Sequence, residues 1–231
     1  MSENYYLTSL QEIASLPKGK KPTFLFHVCC GPCACFPLLF LAPHFDITIY
    51  YDNSNIFPES EFLRRRAELE KLLSFYKRDY GYSIKLIEPP YDHEEYMKEL
   101  RPRSREQEGG ERCRICYKKR MEEAYDYAES HNFDYFATVM SISRQKDSDV
   151  MNQIGRELEK THPHTKYFYS DFKKANGQLF GVKLRDHYGL YNQLYCGCEY
   201  SLAEGKARLA KVGKDPESIL PDTQKSETKN N

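Results

Sequence analysis

The chain carries no surplus of either charge: 34 lysines and arginines face 34 aspartates and glutamates, for a formal net charge of zero. Many nucleic-acid binders show a basic excess, so any such contact here has to come from local patches. The sequence also lacks a long apolar run. The longest, roughly Phe36 to Ala42, falls far short of the about 20 residues that span a bilayer. The opening MSENYYLTSLQEIASLPKGK has no charged start followed by an apolar core, so no secretory signal is expected, and a cytoplasmic location follows. Neither a repeat nor a low-complexity tract is visible, and 40% hydrophobic with 29% charged residues is ordinary globular composition. A length of 231 residues suits one α/β domain and is short for two. We expect residues 1–213 to form that domain and 214–231 to be a polar, proline-punctuated tail, flexible and without chemistry.

Cysteine, by contrast, is plentiful. Eight cysteines at short spacings in a reducing compartment point to metal binding or redox catalysis more than to a disulfide framework. Strands alternate with helices along the chain: strands near 23–28, 46–51, 83–87, 133–139 and 166–169, with helices near 7–16, 59–78, 92–108, 113–131 and 147–160. This pattern predicts a parallel sheet covered on both faces, with added helical segments. In such a sheet the ligand site lies beyond the carboxyl ends of the strands. The turn Cys29-Cys-Gly-Pro-Cys-Ala-Cys35, the Asp52 loop and the Ser141 to Ser143 loop are all expected there.

Cys113 and Cys116 are spaced to chelate one metal centre from a helical turn, whether zinc or an iron–sulfur cluster. The adjacent pair Cys29 and Cys30, with Gly31 permitting close approach, is the natural source of two further thiolates. Cys33 is a second-rank ligand candidate, and Cys35 falls where a following helix faces the core, as a small buried hydrophobe does. Cys196-Gly-Cys198 is too closely spaced to staple a long loop, and a bridge there would be strained and easily reduced. The pair suits two-electron storage, a metal-ligand pair or two buried thiols. A phosphate cradle is missing: the first turn holds cysteines in place of a Ser/Gly-rich loop, and Pro32 removes a donor, so ATP use is not expected.

Three blocks together resemble the cobalamin-independent epoxyqueuosine reductases, the QueH family. They are Phe26-His-Val-Cys-Cys-Gly-Pro-Cys33, Arg112-Cys-Arg-Ile-Cys-Tyr-Lys-Lys-Arg120 and Gly189-Leu-Tyr-Asn-Gln-Leu-Tyr-Cys-Gly-Cys198-Glu-Tyr-Ser201. Between them Tyr51-Asp-Asn-Ser-Asn-Ile-Phe-Pro58, Thr138-Val-Met-Ser-Ile-Ser143 and Phe172-Lys-Lys-Ala-Asn-Gly177 fall in the family's order, so the likeness runs from about Phe24 to Ser201. It implies a Rossmann-like, adenine-nucleotide hydrolase-like sheet and a [4Fe–4S] cluster held by Cys29, Cys30, Cys113 and Cys116. It further implies a redox-active pair, Cys196 and Cys198, that cycles between dithiol and disulfide. The implied activity is an oxidoreductase's: reduction of epoxyqueuosine to queuosine at the wobble position of tRNA, the last step of queuosine biosynthesis, with electrons from an unidentified donor. An additional iron ion is associated with the family, and some relatives carry a carboxylate where this chain has Cys33. The rival reading is a zinc-stabilised tRNA-binding or tRNA-modifying protein of the same fold without redox chemistry. Asp52 and Tyr117 are expected either to line the site or to serve as a turn cap and a packed helix residue. His27 is expected to be a hydrogen-bonded strand residue. Arg64 to Arg66, Arg101 to Arg105, Lys118 to Arg120, and Lys173 with Lys174 are candidate phosphate contacts for the RNA, and the 19 tyrosines offer stacking platforms.

Overall fold

The computed structural model describes residues 3–220. Its elements run α1 (Tyr5–Ser15), β1 (Thr23–His27), α2 (Gly31–Leu41), β2 (Asp46–Tyr50), α3 (Glu59–Tyr80), β3 (Lys85–Ile87), α4 (His93–Met97), α5 (Glu111–Ser130), β4 (Tyr135–Thr138), α6 (Ser148–Glu159), β5 (Lys166–Tyr167), α7 (Gly177–His187) and α8 (Glu199–Lys211). The strands form one parallel sheet in the order β3-β2-β1-β4-β5. This is the α/β, Rossmann-like arrangement that the alternation of strands and helices predicts.

A strand's side chains alternate between the two faces of its sheet, and here both faces are buried. Phe24, Phe26 and Ile49 pack toward α2 and α3, while Leu25, Tyr50 and Phe136 pack toward α5 and α6. Burial on both sides is why β1 reads as a nearly unbroken apolar run. Helix starts are fixed by side-chain caps: Asn4 Oδ1 accepts from Leu7 N at 3.2 Å before α1, and Asp147 Oδ1 accepts from Asp149 N at 2.9 Å before α6. Gly81, at φ 73°, ends α3 in the left-handed conformation that glycine adopts without strain.

The chain leaves β1 toward β2 on one side and β4 toward β5 on the other, so the crevice between the carboxyl ends of β1 and β4 is the switch point where ligands bind in such sheets. The Cys29 turn follows β1, and a 3-10 turn, Val139–Ile142, follows β4.

Three local departures from the sequence reading have physical causes. The charged stretch 92–108 is not one helix. It breaks after Met97 into tighter turns, with Leu100 N bonded to Met97 O and Arg103 N to Leu100 O, and Pro102 lacks the amide donor that an α-helix would need. Helix α2 begins at Gly31, so Cys33 and Cys35 sit inside a helix and not on the turn. Packed chain also continues past Lys214, where the tail was expected to begin: Pro216–Ile219 form a 3-10 turn whose Ile219 is buried against Leu202. The rest of that tail, 221–231, lies outside the described residues. No helix among the described residues is long and apolar enough to cross a membrane.

Candidate metal and redox centre

β1 delivers Cys29 and Cys30 to the crevice, and Cys30, in extended conformation, is the residue that precedes α2. Gly31 is required there because α2 presses on α3. A Cβ at this position would lie 2.8 Å from the carbonyl oxygen of Glu68. One helical turn further on, Cys33 comes back to the same side, and the sulfurs of Cys29, Cys30 and Cys33 all lie within 4.8 Å of one another. Gln193 Nε2 donates to Cys30 Sγ at 2.9 Å and reaches Cys33 Sγ at 3.7 Å. Cys35 turns the other way. Its sulfur contacts Gly31 O at 3.5 Å in the core, and burial pushes its thiol up to about 12.

Cys113 and Cys116 occupy the first turns of α5. Gly109 N donates to Cys113 Sγ at 3.3 Å, and the Tyr96 hydroxyl lies 3.4 Å from Cys116 Sγ. The group drawn together at ligand spacing is Cys29, Cys30 and Cys33. Cys113 and Cys116 stand outside it, and Cys116 shares a neighbour, Arg120, with Cys29. All eight cysteines are free thiols.

Two cations lie among these thiols. Arg120, one turn beyond Cys116, is only 2% exposed. Its guanidinium reaches Asn53 Oδ1 at 3.4 Å and the Met140 sulfur, its Nε has no partner, and among the described residues no carboxylate pairs with it. Burial works against its charge, yet Cys116, Tyr96, Cys29 and Cys196 outweigh burial and hold the group above its ordinary range. Lys146 repeats the pattern. Desolvation opposes its charge, while Cys196, Cys29 and Tyr117 raise its pKa, and its ammonium lies 5.8 Å from the centre of the Tyr117 ring. A buried charge without a counter-ion costs several kcal/mol. Arg120 buried beside the thiols, with half-buried Lys146 near Cys29 and Cys196, therefore fits a donor set that becomes anionic, as cysteines do when they bind metal.

The thiols themselves are already differentiated. Hydrogen bonds from Cys30 and then Cys33 hold the Cys29 thiol well below its usual range, helped by Lys146 and Arg120. Desolvation pushes Cys30, Cys113, Cys116 and Cys198 up, and the bond to Cys29 pushes Cys33 up.

Cys196 and Cys198 are half-buried at the end of a strap that runs along α3. Asp79 accepts from the Tyr188 hydroxyl at 3.0 Å, Lys71 donates to Gly189 O at 2.9 Å and Glu68 accepts from Tyr191 N at 2.7 Å. Arg65, fully buried and ion-paired to Glu61 at 2.7 Å, donates to Cys196 O at 2.9 Å and Tyr195 O at 3.2 Å. Between the two cysteines Gly197 sits at φ 144°, and a Cβ there would meet Arg65 and Ile56 at 3.2 Å. Cys198 caps α8, its sulfur accepting from Ser201 N at 3.4 Å.

Asp52 follows β2 and is buried. Burial first, and the neighbouring Glu123 second, raise its carboxyl from 3.8 to about 7, against Arg120 and Lys119. The folded carboxyl therefore binds its proton more tightly than the unfolded one. The stability this gives is complete below pH about 4 and is lost as pH rises through about 7. We expect Asp52→Asn to leave stability at pH 4 unchanged and to raise it at pH 8.5 by on the order of 2–4 kcal/mol, as measured by urea unfolding of metal-free protein. His27 is neutral, depressed to about 3 by burial and then by Arg120. It bonds Thr138 Oγ1 at 2.9 Å and Asp52 O at 3.2 Å, as a satisfied strand residue does. Tyr117 is packed in the core beneath Lys146.

A cavity of about 350 Å³ opens beside these groups, lined by Cys29, Cys33, Lys146, Gln193 and Cys196 and walled by one face of α7. The sequence reading missed Lys146, Gln193 and all of α7. Two of its candidate RNA clusters also dissolve: Arg65 of Arg64 to Arg66 and Arg120 of Lys118 to Arg120 are buried, and Lys119 pairs with Glu123 at 2.9 Å. Their spacing alone gives no sign of burial, but Arg120 lies four residues after Cys116, a helical neighbour of a candidate ligand.

A family model described as epoxyqueuosine reductase QueH matches residues 24–204. Curated relatives of that name include one from Streptococcus pyogenes serotype M1, 37% identical over 215 residues, covering 92% of this chain and 84% of that protein. One from Staphylococcus epidermidis is 33% identical over 204 residues, covering 87% and 85%. One from Thermotoga maritima is 31% identical over 196 residues, covering 83% and 96%.

Proposed function

The chain belongs to the QueH family of epoxyqueuosine reductases, and from that premise we propose that it is an enzyme that reduces epoxyqueuosine to queuosine in tRNA, in the cytoplasm. In this reading Cys29, Cys30, Cys113 and Cys116 hold a [4Fe–4S] cluster, Cys33 is available to an additional iron ion, and Cys196 with Cys198 forms the redox pair. Residues 1–213 carry the chemistry. The observation that carries the reading is the pair of cations beside the thiols, buried Arg120 and half-buried Lys146, with no carboxylate ion pair to either among the described residues.

When bound, such a cluster supplies one-electron transfer and an iron able to polarise an oxygen. The rest is done by the chain. The net reaction balances with a dithiol: both C–O bonds of the epoxide break, a C=C bond forms, and the oxygen leaves as water. Cys196 and Cys198 give up two electrons and two protons to become a disulfide, which an external reductant then restores. Lys146, on the cavity wall with Cys196, lies where an ammonium can hydrogen-bond the departing oxygen and neutralise its charge. Gln193 steadies Cys30, and Arg65 fixes the carbonyls on either side of the Tyr195–Cys196 peptide bond, so the dithiol is presented on a held backbone.

Anaerobically purified protein is expected to be brown, with about four irons and four sulfides per chain, and to convert epoxyqueuosine-bearing tRNA to queuosine-bearing tRNA under a chemical reductant. Iron and sulfide analysis with nucleoside chromatography checks both. A colourless chain with stoichiometric zinc and no turnover would overturn the proposal.

A further inference from the structure

We propose that the outer side of α7, with the loop 143–147 and Leu194, is the docking face for the single-stranded RNA loop that presents the target base. The inference rests on the tRNA reading above and locates the partner's surface. Gln178, Gly181, Val182 and Arg185 line the cavity; their spacing of three, four and seven residues puts them on one face of α7, so this helix is the cavity wall. At about 350 Å³ the cavity has room for a single base drawn out of its stack but none for a duplex.

On the outer side of α7 and along the neighbouring loops two kinds of side chain gather. Leu179, Phe180 and Leu194 are 52%, 54% and 51% exposed, three of the nine large apolar side chains left exposed among the described residues. Phe180 lies close to Phe36, with ring centres 6.3 Å apart, and leaves its ring available to a base. Arg144, Lys174 and Lys183 have no carboxylate partner among the described residues; Lys183 lies 6.0 Å from the centre of the Phe180 ring, and Arg144 borders the cavity. Of the nearby acids, Asp171 pairs with Lys173, Asp186 with Arg185 and Asp147 caps α6, while Asp149 lines the groove that Arg144 and Lys174 border. An aromatic platform beside unpaired cations, on the far side of the helix that walls a base-sized cavity, is the chemistry that takes up a splayed RNA strand flanking the inserted base. Overall neutrality of the chain does not oppose it, since only the local field reaches across a Debye length.

The test measures binding of a fluorescein-labelled tRNA transcript, and of a hairpin containing its anticodon stem and loop, to the iron-loaded protein across a range of salt. Phe180→Ala is expected to weaken both by about 5- to 100-fold. Lys174→Ala with Lys183→Ala is expected to lower the slope of log K against log salt by about one to two. Both variants should keep the wild-type iron content, and their loss of turnover should lie in KM and not in kcat. Variants that bind as tightly as a wild-type protein that does bind would overturn the docking face alone. Wild-type protein that binds neither RNA would overturn the docking face and the tRNA reading together. Unchanged RNA affinity combined with loss of reduction by a protein donor would assign this face to that donor and overturn the RNA assignment.

Discussion

Cys196→Ser is expected to keep wild-type iron and sulfide content while turnover falls to below about a thousandth. The structure separates these two outcomes. Cys29, Cys30 and Cys33 are gathered by the β1 turn and α2 without help from the Cys196 backbone, whereas the carbonyl of residue 196 is gripped by Arg65 through the main chain, which serine preserves. Only the sulfur is lost, and in the proposed function that removes the partner with which Cys198 would form a disulfide. Cys198→Ser should match it in turnover. Iron lost from the Cys196→Ser protein would move that residue into the ligand set.

Arg120→Met is expected to act with opposite sign in the two forms of the protein. In metal-free protein most of the surrounding thiols are held neutral by burial, so the guanidinium is poorly compensated, and replacing it with an apolar side chain of similar length should be neutral or stabilising by about 1–4 kcal/mol. Once thiolates bind metal, the same cation offsets their charge. Its removal then leaves buried negative charge uncompensated, at a cost of about 3–5 kcal/mol, or roughly a hundred- to a few-thousandfold weaker iron retention. Thermal melts of both forms and competition with an iron chelator measure the crossing. A variant that retained iron as wild type does would show that Arg120 is a structural cation only.

What the sequence disclosed depended on how each feature is encoded. The first strand was legible because cover on both faces makes it a nearly continuous apolar run, and the cysteines because thiols clustered at short spacing suit metal binding or redox chemistry. Helix α7 was not legible: it starts after Asn176 in a left-handed conformation, and its cavity face is interrupted by Gly181, so the periodic apolar stripe that marks a helix is broken where the cavity needs room. The approach of Cys33 to Cys29 and Cys30 depended on α2 beginning at Gly31, earlier than the glycine and proline suggested. Arg65 and Arg120 look in sequence like any solvated basic residue, because burial of a charge is decided by partners far along the chain, such as Glu61 with the 195–196 carbonyls or the thiols of two separate loops.

Helix α3 also acts as a ruler. Glu61, Arg65, Glu68, Lys71 and Asp79 fasten the strap between Tyr188 and Cys196 at intervals of three, four and eight residues, so the position of Cys196 is written in the helical pitch. One residue inserted between Glu61 and Glu68 would turn the later fastenings by about 100° relative to the earlier ones. The strap could then be held at one end or the other but not at both, and chains that preserve this chemistry are bound to preserve the length of α3 more strictly than its composition.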